Sequence, residues 1–121
     1  MSKAILKIFL TCLVFISTLL FLPRVLAHAF PKQEEPRPNS IVQAPKTVTI
    51  TFNEELEPEF STLWITDSNN QKIASGGLNP DNIQIMTLNL PSLPAGIYHV
   101  YWKVISRDGH QTEGKYEFTV K

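Results

Sequence analysis

Cysteine is almost absent from this 121-residue chain; the one copy, Cys12, sits in an apolar run near the N-terminus. A disulfide framework needs pairs and a thiolate metal site needs clusters, so neither is expected. Methionine is equally scarce, at Met1 and Met86. An excess of positive charge is missing too. Eleven Lys and Arg face eleven Asp and Glu over the whole chain, and from residue 28 onward eight basic residues face eleven acidic ones. Nucleic-acid binding therefore lacks its electrostatic basis. No second long apolar run follows Leu22, and residues 28–121 show no helical periodicity of useful length, which points away from membrane-spanning and helical folds.

What is present begins with the three parts of an export signal. Lys3 and Lys7 make a basic start, an apolar run extends from Ile8 to Leu22, and Val25-Leu26-Ala27 forms a small-residue cleavage site. Cutting is expected between Ala27 and His28, which makes residues 1–27 a signal peptide and residues 28–121 one exported domain, monomeric and periplasmic or extracellular. An uncleaved anchor fits less well, because about fifteen apolar residues fall short of the roughly twenty that span a bilayer. Cys12 reads as part of the signal, too close to Met1 for lipid attachment.

The exported part opens with HAFPKQEEPRPNS, whose prolines block helix and favour an irregular lead-in, turning at Pro36, Pro38 and Asn39. Thr47 to Phe52 alternates Val48, Ile50 and Phe52 against threonines, the period-two signature of a strand with one buried face. Glu54 to Glu59 is an acidic loop turning at Pro58. Leu63 to Thr66 and Lys72 to Ala74 read as a hairpin around the Asp67 to Gln71 turn, ended by Ser75-Gly76-Gly77. Ile83 to Leu90 is a strand of less clean period. After Pro94-Ala95-Gly96, Tyr98, Val100, Trp102 and Val104 share the inward face of the strongest strand, with His99 and Tyr101 facing outward. Ser106 to Gly114 reads as a polar loop, and Lys115 to Val120 as a last strand with Tyr116, Phe118 and Val120 inward. The fold class is all-β, an immunoglobulin-like Greek-key β-sandwich of about seven strands.

Two places could carry chemistry. A chain that begins at His28 offers its α-amine and its imidazole Nδ1 to one metal in a single chelate ring; both are nitrogen donors suited to Cu(II), Ni(II) and Zn(II), with copper favoured by the divalent affinity order. The bland alternative is that cleavage happens to leave a histidine. Ser106-Arg107-Asp108-Gly109-His110 sets a carboxylate and an imidazole two residues apart, as two ligands or as a ligand and its orienting partner. Alone that signal is weak, since Asp-Gly is a common turn dipeptide and a loop histidine is usually solvated. His99 reads as a surface histidine, Met86 and Trp102 as core, and the acidic run as a solvated loop.

Taken together these residues resemble the CopC-type copper-resistance and copper-handling proteins of bacterial export compartments. The resemblance covers nearly all of residues 28–121. It rests on His28-Ala29 after the cleavage site, on Ala44-Pro45 followed by TVTITFNEEL with a Phe-x-Glu element at Phe52 and Glu54, on Ala95-Gly96-x-Tyr98 leading to Trp102, and on Ser106-x-Asp108-x-His110 followed by Gly114 and Phe118.

The resemblance implies one Cu(II) per chain, held by the amine and imidazole of His28, the imidazole of His110 and the carboxylate of Asp108, with Glu54 nearby as an outer ligand or supporting group. Such a tetragonal N,O set suits Cu(II). Some family members add a Met-rich loop for Cu(I); with Met86 as the single methionine after residue 27, this sequence does not.

The expected function is a non-enzymatic copper carrier or buffer for copper resistance or homeostasis, with the copper ion and an inner-membrane copper transporter as partners. Two alternatives stand beside it. One is a small oxidase with a histidine brace, for which residues 28–121 leave little substrate surface and an aspartate ligand would block the open copper position. The other is an immunoglobulin-like interaction module in which His28 and His110 are incidental.

Overall fold

The structure, a computed structural model, describes residues 2–20 and 28–121. The expected cleavage site Val25-Leu26-Ala27 and the end of the apolar run lie outside the described residues. Helix α1, Lys3–Leu20, carries the rest of that run, and its Ile5, Leu6, Ile8, Phe9, Leu10, Leu13 and Val14 are exposed. Among the described residues no helix is long and apolar enough to cross a membrane.

Eight strands follow: β1 Pro31–Glu35, β2 Ile41–Val42, β3 Thr47–Phe52, β4 Thr62–Thr66, β5 Lys72–Asn79, β6 Asn82–Asn89, β7 Gly96–Ile105 and β8 Gln111–Val120. One layer is β1-β3-β6 and the other β4-β7-β8-β2, with β5 belonging to both. Lys72 to Gly76 of β5 lie beside β4, and Gly77 to Asn79 lie beside β6. Successive strands β4, β5 and β6 pair in turn, and β7 returns to lie beside β4, which is the Greek-key order. The expected all-β Greek-key sandwich is the fold of this chain.

Period-two alternation explains how each layer buries one face. Val48, Ile50 and Phe52 of β3 are buried, as are Tyr98, Val100, Trp102 and Val104 of β7 and Tyr116, Phe118 and Val120 of β8. In β6 the inward set is Met86 and Leu88. The layers meet where Phe52 packs edge-on against Trp102, ring centroids 5.3 Å apart. Among the described residues every member of this core lies between Ala29 and Val120, within residues 28–121.

Three expectations are corrected. The lead-in is not irregular: β1 pairs antiparallel with β3, and β2 pairs parallel with β8. Proline is tolerated because Pro31 opens an edge strand, where its missing N–H breaks no ladder. Ser75-Gly76-Gly77 does not end β5 but carries it from one layer to the other. A side chain at Gly76 would place Cβ 2.2 Å from the Thr87 carbonyl oxygen, so only glycine lets the layers approach there. Finally, β8 begins at Gln111, not Lys115, which shortens the β7–β8 loop to Ser106–His110 and anchors His110 at a strand end.

Candidate metal centre

One end of the sandwich gathers the end of β3, the start of β4 and the β7–β8 turn, together with the three residues that precede β1. Those three residues, His28 to Phe30, are tied down from two sides. Asn53, directly after β3, accepts a hydrogen bond from the Phe30 N–H through Oδ1 at 2.8 Å and donates from Nδ2 to the His28 carbonyl at 3.4 Å. Its own N–H donates to the Phe30 carbonyl at 3.1 Å. From β8, the Thr112 hydroxyl donates to the Ala29 carbonyl at 2.8 Å. Ala29 is 1% exposed, so its methyl acts as a plug between two exposed neighbours.

The β7–β8 turn is built around Ser106, whose N–H donates to the His110 carbonyl at 3.0 Å. Gly109 takes φ +89°, a conformation open to glycine, and its N–H donates to the Ser106 carbonyl at 2.9 Å. The fully buried Ser106 hydroxyl donates to Asp108 Oδ1, and the His110 N–H reaches the same oxygen at 3.1 Å. These bonds lower the Asp108 pKa to about 2, the Ser106 hydroxyl most, then the His110 backbone, partial burial opposing and the His110 imidazole adding last. Asp108 is therefore a carboxylate at any physiological pH.

Asp108 Oδ2 lies 3.1 Å from His110 Nδ1, but the two are not aligned as a hydrogen bond, and Nδ1 is buried without a hydrogen-bond partner. The imidazole of His110 meets that of His28 edge to face, ring centroids 5.0 Å apart. Two metal–nitrogen bonds of about 2.0 Å each ask for ring nitrogens within roughly 4 Å, and ring centroids 5.0 Å apart are compatible with that spacing.

Glu54 sits between two tethers. On one side is Asn53, which holds His28 and Phe30. On the other is Glu55, whose carbonyl accepts the Arg107 N–H at 3.3 Å and whose Oε2 pairs with Arg107 Nη1 at 2.7 Å. Its own Oε1 is buried and unpartnered. Glu54 Oε1, buried without a partner, and His110 Nδ1, whose near polar contact is Asp108 Oδ2, both belong to the expected ligand set.

Among the described residues no three His, Cys, Asp or Glu side chains form a ready metal cage. Within the expected set the contacts are pairwise, His28 with His110 ring to ring and His110 with Asp108, so three of its side chains do not converge on one point. His99 lies elsewhere, on the outer face of β7, with Nε2 3.3 Å from Glu117 Oε2. Met86 is buried in the core, and Leu56 in the middle of the acidic run is buried as well. Asn53 and Thr112 escaped the sequence reading, their one sequence signal being a polar residue beside each candidate ligand segment, and Ser106 appears there as part of the motif without its hydrogen bond to Asp108.

Residues 31–121 match the CopC domain family. Protein YobA of Escherichia coli K12 is 36% identical over 113 residues, covering 90% of this chain and 91% of its own length. Copper transport protein CutJ of Bacillus subtilis is 35% identical over 107 residues, covering 84% of this chain but 20% of its own. Among solved structures, CopC from Methylosinus trichosporium OB3b superposes with a TM-score of 0.73 at 38% identity, covering 78% of this chain and 94% of that one. PcoC of Escherichia coli, described as a methionine-rich copper resistance protein, gives 0.66 at 33%, covering 78% of this chain and all of its own.

Proposed function

Since this chain belongs to the CopC family, we propose that it binds copper, and that residues 28–121, released by cleavage after Ala27, carry one Cu(II) ion outside the cytoplasm. The ligands in this reading are the α-amine and imidazole of His28, the imidazole of His110 and the carboxylate of Asp108, with Glu54 as an outer partner. The observation that carries it is the approach of the His28 and His110 rings to 5.0 Å beside an Asp108 that stays ionised.

Nitrogen and carboxylate donors favour Cu(II), while Cu(I) prefers thiolates and thioethers. Met86 is the single methionine of residues 28–121 and is buried in the core, and no cysteine follows residue 12. The domain therefore holds its cargo in the oxidised state, and its role is sequestration and carriage, not catalysis. The match to part of a relative named as a copper transport protein supports a role in copper transport, and delivery to an inner-membrane transporter is the form of that role in this reading.

The test is a Cu(II) titration of a chain beginning at His28 against one carrying a single extra residue before it. One tight ion per chain is expected for the first and a large loss for the second, because the extra residue turns the amine into an amide. Equal binding by both would end the chelate reading.

A further inference from the structure

A slot of about 590 Å³ opens between β1 and β8. None of His28, Glu54, Asp108 and His110 lines it, so this inference and the copper reading can fail separately. On its floor lie Trp102 and Tyr116. Gly114 leaves room for the Trp102 ring, since a Cβ there would fall 2.4 Å from it.

Three features at the slot ask for a ligand. Tyr116 is 9% exposed, and its hydroxyl is buried with no hydrogen-bond partner, a costly state for a polar group. Burial raises its pKa, and the negative charges of Glu34 and Glu35 resist its ionisation further, so the hydroxyl remains a donor in want of an acceptor. Glu34, on the β1 wall, makes no ion pair among the described residues, and burial raises its carboxyl pKa. The third feature is the backbone. β2 pairs with β8 at Thr119 and Val120 alone, and the Asn39 N–H covers the Glu117 carbonyl. Since the Glu117 carbonyl and the Thr119 N–H face this edge, strand alternation turns the backbone groups of Glu113 and Lys115 the same way. Among the described residues no strand meets them.

We propose that the slot takes an extended segment of a partner protein, which adds as a strand to β8 at Glu113 to Lys115, sets a lysine or arginine against Glu34, and offers a carbonyl to the Tyr116 hydroxyl. Strand addition supplies main-chain affinity, and a pocket for alternate side chains supplies selectivity. The alternating charges of Glu113 and Lys115 discourage indiscriminate edge pairing, which leaves the choice of partner to the slot.

The probe is a blocked hexapeptide alternating lysine and valine, titrated into ¹⁵N-labelled residues 28–121, with the glutamate–valine peptide and lysine amide as comparisons. The lysine peptide should shift the Glu113 and Lys115 amides saturably and bind at least tenfold tighter than either comparison. Glu34→Gln should weaken it about tenfold and Tyr116→Phe severalfold, both with the remaining spectrum intact. The proposal is overturned by no saturable shift at about 5 mM, an affinity too weak to matter. It is equally overturned by equal binding of the acidic peptide or of lysine amide, by unweakened Glu34→Gln, or by concentration-dependent pairing of two copies through β8.

Discussion

His28 and His110 meet edge to face with ring centroids 5.0 Å apart, one before the first strand of the sandwich and the other directly before its last. Neither ring brings the other there. Asn53 and Thr112 hold the backbone around His28, and Ser106 holds the turn that ends at His110.

Asn53→Ala should loosen the His28 side of the pair. It removes two side-chain hydrogen bonds, at about 1 kcal/mol net each, so thermal melts should show about 1–2 kcal/mol of destabilisation. Copper affinity should fall about 10–100-fold, as when a ligand loses its supporting partner. Wild-type affinity in a competition titration would show that Asn53 does not position the ligand.

Ser106→Ala should raise the Asp108 pKa from about 2 toward its ordinary value of 3.8, because the Ser106 hydroxyl contributes most to the depression. A depressed carboxyl adds stability that is present above its unfolded pKa and is lost as pH falls through the folded one. The native domain should therefore lose stability between pH 3.8 and about 2, and the variant should lose less. Carboxyl-carbon NMR titration with acid unfolding checks both; an unmoved Asp108 pKa would contradict the assignment.

Copper affinity should climb with pH between about 5 and about 8, because the metal competes with protons for imidazole and amine donors. Asp108 adds nothing to that slope, being already ionised. A flat profile over this range would remove the amine and the imidazoles from the ligand set.

Gly76→Ala and Gly77→Ala should differ sharply despite being neighbours. At Gly76 the new methyl meets the Thr87 backbone at 2.2 Å, whereas nothing lies within 4 Å of it at Gly77. Overpacking of this kind costs about 1–3 kcal/mol or more, and an unobstructed change stays within about 0.5 kcal/mol. Similar melting temperatures for the two variants would show that β5 does not cross between layers where the structure has it.

Strands that alternate cleanly were legible. The expected span of β3, Thr47 to Phe52, is the observed one, and the inward residues of β7 and β8 are those the alternation picked out. β1 and β2 were not legible, because a short edge strand has little apolar periodicity and exists through its partner. The glycine pair of β5 looked like a stop, since glycine marks turns and close approaches alike. At the proposed copper end, Asp108 and His110 could be joined by their spacing in one turn, but Asn53 and Thr112 act through backbone groups of a segment far away in sequence.

Residue order alone determines which side chains exist to bind a metal, that thiolates and a methionine cluster are not among them, and which face of each long strand turns inward, because these depend on composition and on a two-residue period. The meeting of the two imidazoles, the unpartnered Glu54 oxygen and the open edge of β8 depend on pairings between strands distant in sequence. Those pairings are settled by burying one shared core, and a local pattern carries no record of them.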